Sequence, residues 1–196
     1  MTALPEPDPE SEPRLLTVAE YAALGETDPG YTELQEGHIL MSPSPVPDHN
    51  VACLNLCVQL ITQLPDDLEA IQDIDIDLEL APKEDPGFSR RPDLVVVDRT
   101  ARQRVRSEGG LLRAAEVKLV VEIVSPGSVR MDNVIKLGEY ADAGIPHYWI
   151  LDLRPPTSMH VWHLAGEFGY QDSGTFTDQF SLMDPFKVDV DLGRLL

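Results

Sequence analysis

The stretch VKLVVEIVS, residues Val117 to Ser125, is apolar on both faces of any strand it could form, and Glu122 is the only charge in its central run. Strands apolar on both faces belong at the centre of a covered sheet. A lone carboxylate buried there costs several kcal/mol unless a cation meets it. A second apolar run, DLVVV, opens with Asp93 and extends to Val97. Two such strands side by side bring Asp93 and Glu122 to one edge, as a hard, oxygen-seeking cation such as Mg²⁺ requires. The alternative is that Glu122 pairs with an arginine and Asp93 caps a turn after Pro92.

Working outward, Ser125-Pro126-Gly127 leads into a helix from about Val129 to Ala143, with Gly144 as its C-cap and Pro146 just beyond. The strand HYWILDL then completes a β-α-β unit. MHVWHL and GEFGYQ extend the sheet antiparallel, and MDPFKVDVDLGRLL closes the domain. Upstream, a loop rich in arginine separates the two central strands. Before it, Ile74, Ile76, Leu78 and Leu80 alternate with Asp73, Asp75, Asp77 and Glu79, the pattern of a half-buried strand with a solvated acidic face; a supplementary metal face is the other reading. VACLNLCVQLITQL reads as one helix starting near His49 or Asn50, after the breaks at Pro43, Pro45 and Pro47. YTELQ and HILMS flank Glu36-Gly37 as a hairpin. Leu15 to Leu24 is a helix capped by Thr17. Residues 1–13, where Glu6, Asp8, Glu10 and Glu12 alternate with prolines, read as a disordered tail, and 14–196 as one domain.

The chain has 196 residues, 42% of them hydrophobic, and a net charge of -19. No apolar run approaches the roughly 20 residues that cross a bilayer. The first residues lack the basic start and apolar stretch of a secretion signal, so the expected location is cytoplasmic, with no membrane partner. Cys53 and Cys57, four apart on a helix, read as reduced core thiols. The acidic charge argues against a broad nucleic-acid surface, so any DNA contact must be local. About half of the basic residues fall between Arg90 and Lys118.

Taken together and in order, YTELQEGHILMSPSP followed by His49, RPDLVVV, LVVEIVSPGS, then Asp132, Lys136 and Tyr140 at steps of four, and GIPHYWILD resemble the Uma-two family of the PD-(D/E)XK restriction-endonuclease-like superfamily. The resemblance covers most of the chain. It implies an α/β fold, a restriction-endonuclease-like mixed sheet flanked by helices with antiparallel strand extensions. It also implies hydrolysis of DNA phosphodiester bonds with a divalent metal, Mg²⁺ or Mn²⁺ in its place. By that resemblance Asp93, Glu122 and the carbonyl of Ile123 are metal ligands, Lys136 is the catalytic lysine, and Glu33 is a further acidic residue of the site.

His49 matches a position often occupied by histidine in the family; a helix-start role or a hydrogen bond to the proline-rich loop stands beside a catalytic one. His160 and His163, three apart on a strand, face opposite ways and are not a metal pair. Glu116-Val117-Lys118 is a rival register, matching the superfamily's literal E-x-K. With Glu122 chosen, the usual lysine position holds Val124, so Lys136 must supply the charge from the following helix, unless it is only the partner of a surface pair with Asp132. Lys136→Met is accordingly expected to keep the melting temperature. The expected partners are DNA, through Arg99, Arg102, Arg104 and Arg106, and a second copy of the chain in a homodimer. Two other functions fit the same fold: a silent acidic interaction module, and a hydrolase for a small phosphorylated molecule.

Overall fold

The computed structural model describes residues 14–25, 31–41, 44–125 and 127–196; the tail of residues 1–13 and Pro43 lie outside them. Helix α1 (Val18–Leu24) starts as expected at Thr17. The Thr17 hydroxyl accepts from the Glu20 backbone N–H while the Glu20 carboxylate accepts from the Thr17 N–H, a reciprocal cap. Strands β1 (Thr32–Gln35) and β2 (His38–Met41) form the expected hairpin, and its turn residues Glu36 and Gly37 both have positive φ, 50° and 76°. A Cβ on Gly37 would lie 2.8 Å from both Leu15 and Pro86, so the chain there admits no side chain. Helix α2 (Pro47–Ile61) starts two residues before His49, with Pro47 in the first turn, where its missing N–H is no loss.

Strand β3 (Leu68–Gln72) follows, an element that the sequence did not advertise. The alternating segment 74–80 yields only the two-residue strand β4 (Ile76–Asp77). Ile76 and Leu78 do point into the core, but Asp73 and Glu79 each take φ of 55°, which turns the backbone at both ends. After β5 (Ser89–Arg90) and β6 (Leu94–Asp98), the expected arginine-rich loop is instead helix α3 (Arg99–Glu108). Its residues, RTARQRVRSE, are mostly good helix formers with no break until Gly109, and Ala101 docks it onto the core.

Next come β7 (Leu112–Arg113) and β8 (Val117–Val124). The helix expected over Val129–Ala143 is broken into a π-helical turn, Met131–Ile135, and α4 (Lys136–Asp142). Strand β9 (His147–Asp152) returns parallel to β8, which makes the β-α-β crossover. Strands β10 (Ser158–Leu164) and β11 (Tyr170–Phe176) extend the sheet antiparallel, and β12 (Gln179–Leu182) with β13 (Val188–Asp191) forms a closing hairpin.

The central sheet has the order β11-β10-β9-β8-β6-β3, and a second, smaller sheet has the order β2-β1-β5-β4-β7. One face of the central sheet packs Leu94, Val96, Leu119, Val121 and Trp149 against α2 and the closing hairpin. The other packs Val95, Val120, Tyr148 and Ile150 against α4 and the smaller sheet. That double covering is why β6 and β8 are apolar on both sides. Helix α2 is also fastened to β13. The side-chain amide of Gln63 donates to the Asp189 carbonyl and accepts from the Asp189 N–H, and Gln59 does the same with Asp191, all within 3.0 Å. Among the described residues no helix is long and apolar enough to cross a membrane.

Candidate active site

Strands β6 and β8 run antiparallel with Leu94 opposite Val121, which brings Asp93, just ahead of β6, beside Glu122 and Ile123. The Asp93 carboxylate accepts from the Ile123 N–H at 2.6 Å and meets the His49 Nε2 at 3.2 Å. His49 therefore reaches the site. Burial pulls its pKa down, but the Asp93 carboxylate outweighs this and leaves it above the ordinary histidine value.

Glu122 is buried, and its Oε1 accepts from the Lys136 ammonium at 2.8 Å and from the Tyr140 hydroxyl at 2.7 Å. Lys136 lies on the first turn of α4, 3.0 Å from Glu33 and 4.0 Å from Asp132. The π turn and α4 together carry Asp132, Lys136 and Tyr140 inward, and all three are buried. This rules out the surface pair of Asp132 and Lys136. It also replaces the arginine first considered for Glu122 with a lysine.

Glu33 in turn binds Arg90 at 3.0 Å and accepts from the Arg91 N–H at 3.1 Å. Arg90 is fully buried and grips Glu139 with two hydrogen bonds, of 2.6 and 2.7 Å. A buried guanidinium is tolerated only with its donors satisfied in this way.

The electrostatics follow from this crowding. Burial pushes the Glu122 carboxyl up to about 8; Lys136 pulls it back, while Asp93, Asp132 and Glu33 push it further. Burial likewise raises Asp132 against the pull of Lys136. For Lys136 burial works the other way, but Glu122, Glu33 and Asp132 prevail and hold it above the ordinary lysine value. Burial would raise Glu33 too, yet Lys136 and Arg90 leave it below its usual range.

The cluster thus gathers the carboxylates of Glu33, Asp93, Glu122, Asp132 and Glu139 around only two permanent cations, Lys136 and Arg90. In addition, the buried Asp132 Oδ2 has no hydrogen-bond partner among the described residues. A divalent cation would meet that excess of negative charge. Among the described residues no three His, Cys, Asp or Glu side chains converge as a ready coordination shell. Two carboxylates and a carbonyl remain a donor set suited to Mg²⁺, which keeps several of its waters.

Of the residues singled out from the sequence, Asp93, Glu122, Lys136, Glu33 and Ile123 come together. The rival register does not join them: Glu116 is held by Arg104 at 2.6 and 2.8 Å, and Lys118 by Asp98 at 2.9 Å, toward the other end of β6 and β8. His160 and His163 bind Asp172 and Ser173 separately. Both cysteines are free thiols; burial pushes Cys53 up to about 12, which makes it inert.

Arg90 and Glu139 were missed. In the run SRRPD nothing separates a buried arginine from a solvated one. Asp132 and Tyr140 were already marked at steps of four from Lys136, and that spacing was the signal that their side chains share its face. The arginines of α3 follow the far end of β6, roughly 17 Å of strand from Asp93. Arg99, Arg102 and Arg106 are exposed, whereas Arg104 is turned to Glu116. A cleft of about 530 Å³ between α2 and the closing hairpin touches none of the clustered residues.

The family model of Uma2, described as "Putative restriction endonuclease", matches residues 18–193. Among solved structures, the chain is similar to "a putative nuclease belonging to DUF820" from Anabaena variabilis. That likeness has a TM-score of 0.67 and 17% identity, and covers 92% of this chain and 97% of the other. At that identity it shows the fold alone. No curated protein matches the chain.

Proposed function

Because the chain belongs to the Uma2 family, we propose that it is an endonuclease that hydrolyses DNA phosphodiester bonds with a divalent metal, Mg²⁺ or Mn²⁺ in its place. The observation that carries the reading is the Lys136 ammonium held between Glu122 and Glu33, with Asp93 beside Glu122 on the next strand. Asp93, Glu122 and the Ile123 carbonyl would hold the ion. When bound, it supplies polarisation of the phosphodiester and a water of lowered pKa.

The chain's own residues do the rest. Lys136 keeps its protons because three carboxylates surround it, and it donates to the attacking water or to the phosphoryl oxygen on which charge develops. Tyr140 fixes the Glu122 carboxylate through its hydroxyl. Glu33, anchored by Arg90, fixes Lys136 from the other side. Water adds across one P–O ester bond, which breaks. Arg99, Arg102 and Arg106 on α3 would contact the duplex away from the scissile bond. Their pairing within the chain is no bar, since exposed ion pairs such as Arg102 with Glu69 are worth little.

Plasmid cleavage with and without Mn²⁺, for the wild type and for Asp93→Asn, tests the reading. Metal-independent cutting, or a fully active variant, would overturn it. The net charge of -19 favours one competitor, a silent interaction module of the same fold, for which no metal would bind. A small phosphorylated substrate would show itself in a substrate panel on which DNA fails.

A further inference from the structure

We propose that the solvent face of α2 is the surface through which two copies of this chain pair. The helix buries Ala52, Cys53, Leu56 and Leu60 against the central sheet. On the opposite side Val51, Leu54, Val58 and Ile61 stay 46, 55, 48 and 51% exposed. Their steps of three, four and three are those of a two-helix seam, in which each side chain enters a gap on a facing helix. An amphipathic surface helix needs one apolar stripe; this one has two, and only one of them is covered by the described residues.

The identity of the occupant follows from charge. From His49 to Pro65 the sequence contains no Asp, Glu, Lys or Arg, although a quarter of the chain is charged. The stripe is flanked by Asn50, Asn55 and Thr62. Two molecules each carrying -19 repel on almost any approach, and a helix face without a charged side chain of its own is where they meet with the fewest opposing carboxylates. A basic partner or a nucleic acid would find no charge on the helix itself to recognise. An anionic membrane needs several lysines or arginines along the margin of the stripe; the helix carries none, and Arg194 near Thr62 is a single one. The chain's own first residues, MTALPEPDPESEP, offer too few apolar side chains to cover it.

Leu196, 60% exposed, widens the patch beside Asn55, whose side chain donates to the Leu195 carbonyl. A symmetric pair uses one patch twice, so a self-complementary stripe suffices on both sides. A contact near the lower limit for specific interfaces, about 1,000 Å², is expected, with a dissociation constant on the order of micromolar.

Sedimentation velocity on the full chain tests this independently of the nuclease reading. The wild type is expected to dimerise reversibly. Leu54→Glu with Val58→Glu should weaken pairing by roughly a hundredfold or more. Mixing that variant with Leu54→Lys and Val58→Lys should restore a heterodimer at low salt. Leu54→Ser with Val58→Ser, which adds no charge, gives the same answer if the charged variants misfold. A wild type that stays monomeric at on the order of 100 µM overturns the proposal and leaves the stripe to a different protein. Glu and Ser variants that dimerise as tightly as the wild type overturn it too.

Discussion

Replacing Lys136 with Met keeps most of the side-chain volume and removes the one ammonium in the cluster. The structure puts two separate costs on this change. Lys136 is 6% exposed and contacts both Glu122 and Glu33, so its loss leaves buried carboxylates short of a cation, which costs about 3–5 kcal/mol. For a chain of this length that lowers the melting temperature by roughly 10 °C. Burial of the residue argues against the expectation from sequence that melting would be unchanged.

The second cost depends on pH. Glu122 has a folded pKa raised from 4.5 to about 8, so its contribution to stability is complete below 4.5 and is lost as pH rises through about 8. Lys136 is what pulls this value down. Without it the midpoint moves higher and the loss continues past pH 8 at up to about 1.4 kcal/mol per pH unit. The gap between wild type and variant should therefore be constant from about pH 6 to 8 and widen above. Thermal melts followed by circular dichroism across that range measure it. Cleavage, assayed well below the variant's melting point, should fall roughly a hundredfold. A variant that melts within a degree or two of wild type at every pH would refute the buried-cluster argument, whatever its activity.

Asp93→Asn should abolish most Mn²⁺ binding by calorimetry while leaving the fold in place, since the amide oxygen can still accept from the Ile123 N–H; Glu116→Gln, at the far end of the strands, should bind as wild type does. Tyr140→Phe removes the hydroxyl donated to Glu122 at 2.7 Å and should cost about 1–2 kcal/mol, read as a melting drop of about 5 °C. Changing Arg99, Arg102 and Arg106 to Ser should lower the slope of log DNA affinity against log salt by nearly three, at roughly 0.9 per lost phosphate contact. Arg104→Ser should leave that slope alone and instead destabilise the chain, because its guanidinium holds Glu116 and the Leu111 carbonyl.

The two central strands were legible because burial on both faces writes itself as a nearly unbroken apolar run, and Glu122 stood out as the one charge in the central run of β8. The hairpin at Glu36-Gly37 and the cap at Thr17 were legible because single residues set the backbone there. The strand β3, LEAIQ, was not, since it is short, partly exposed and without clean alternation. The arginine segment, read as a loop, is a helix, because helix propensity depends on side-chain entropy and not on charge. In the site, the carboxylates could be picked out by position. Arg90 and Glu139 are distant in sequence, and only the packing of β5 against α4 brings them together.

The pair of glutamines at the end of α2 and just past it has a consequence for the long-term behaviour of the molecule in solution. Gln59 and Gln63 each present one donor and one acceptor to alternate residues of β13, which is what a neighbouring strand would do. An edge satisfied in that way cannot template another chain, so the route by which exposed strands nucleate fibrils is closed on this side. Glutamate at either position keeps the size but sets an acceptor against the carbonyl of Asp189 or Asp191. The edge would then be open, and the change should surface as slow growth of thioflavin-positive aggregates in protein that still melts close to its normal temperature.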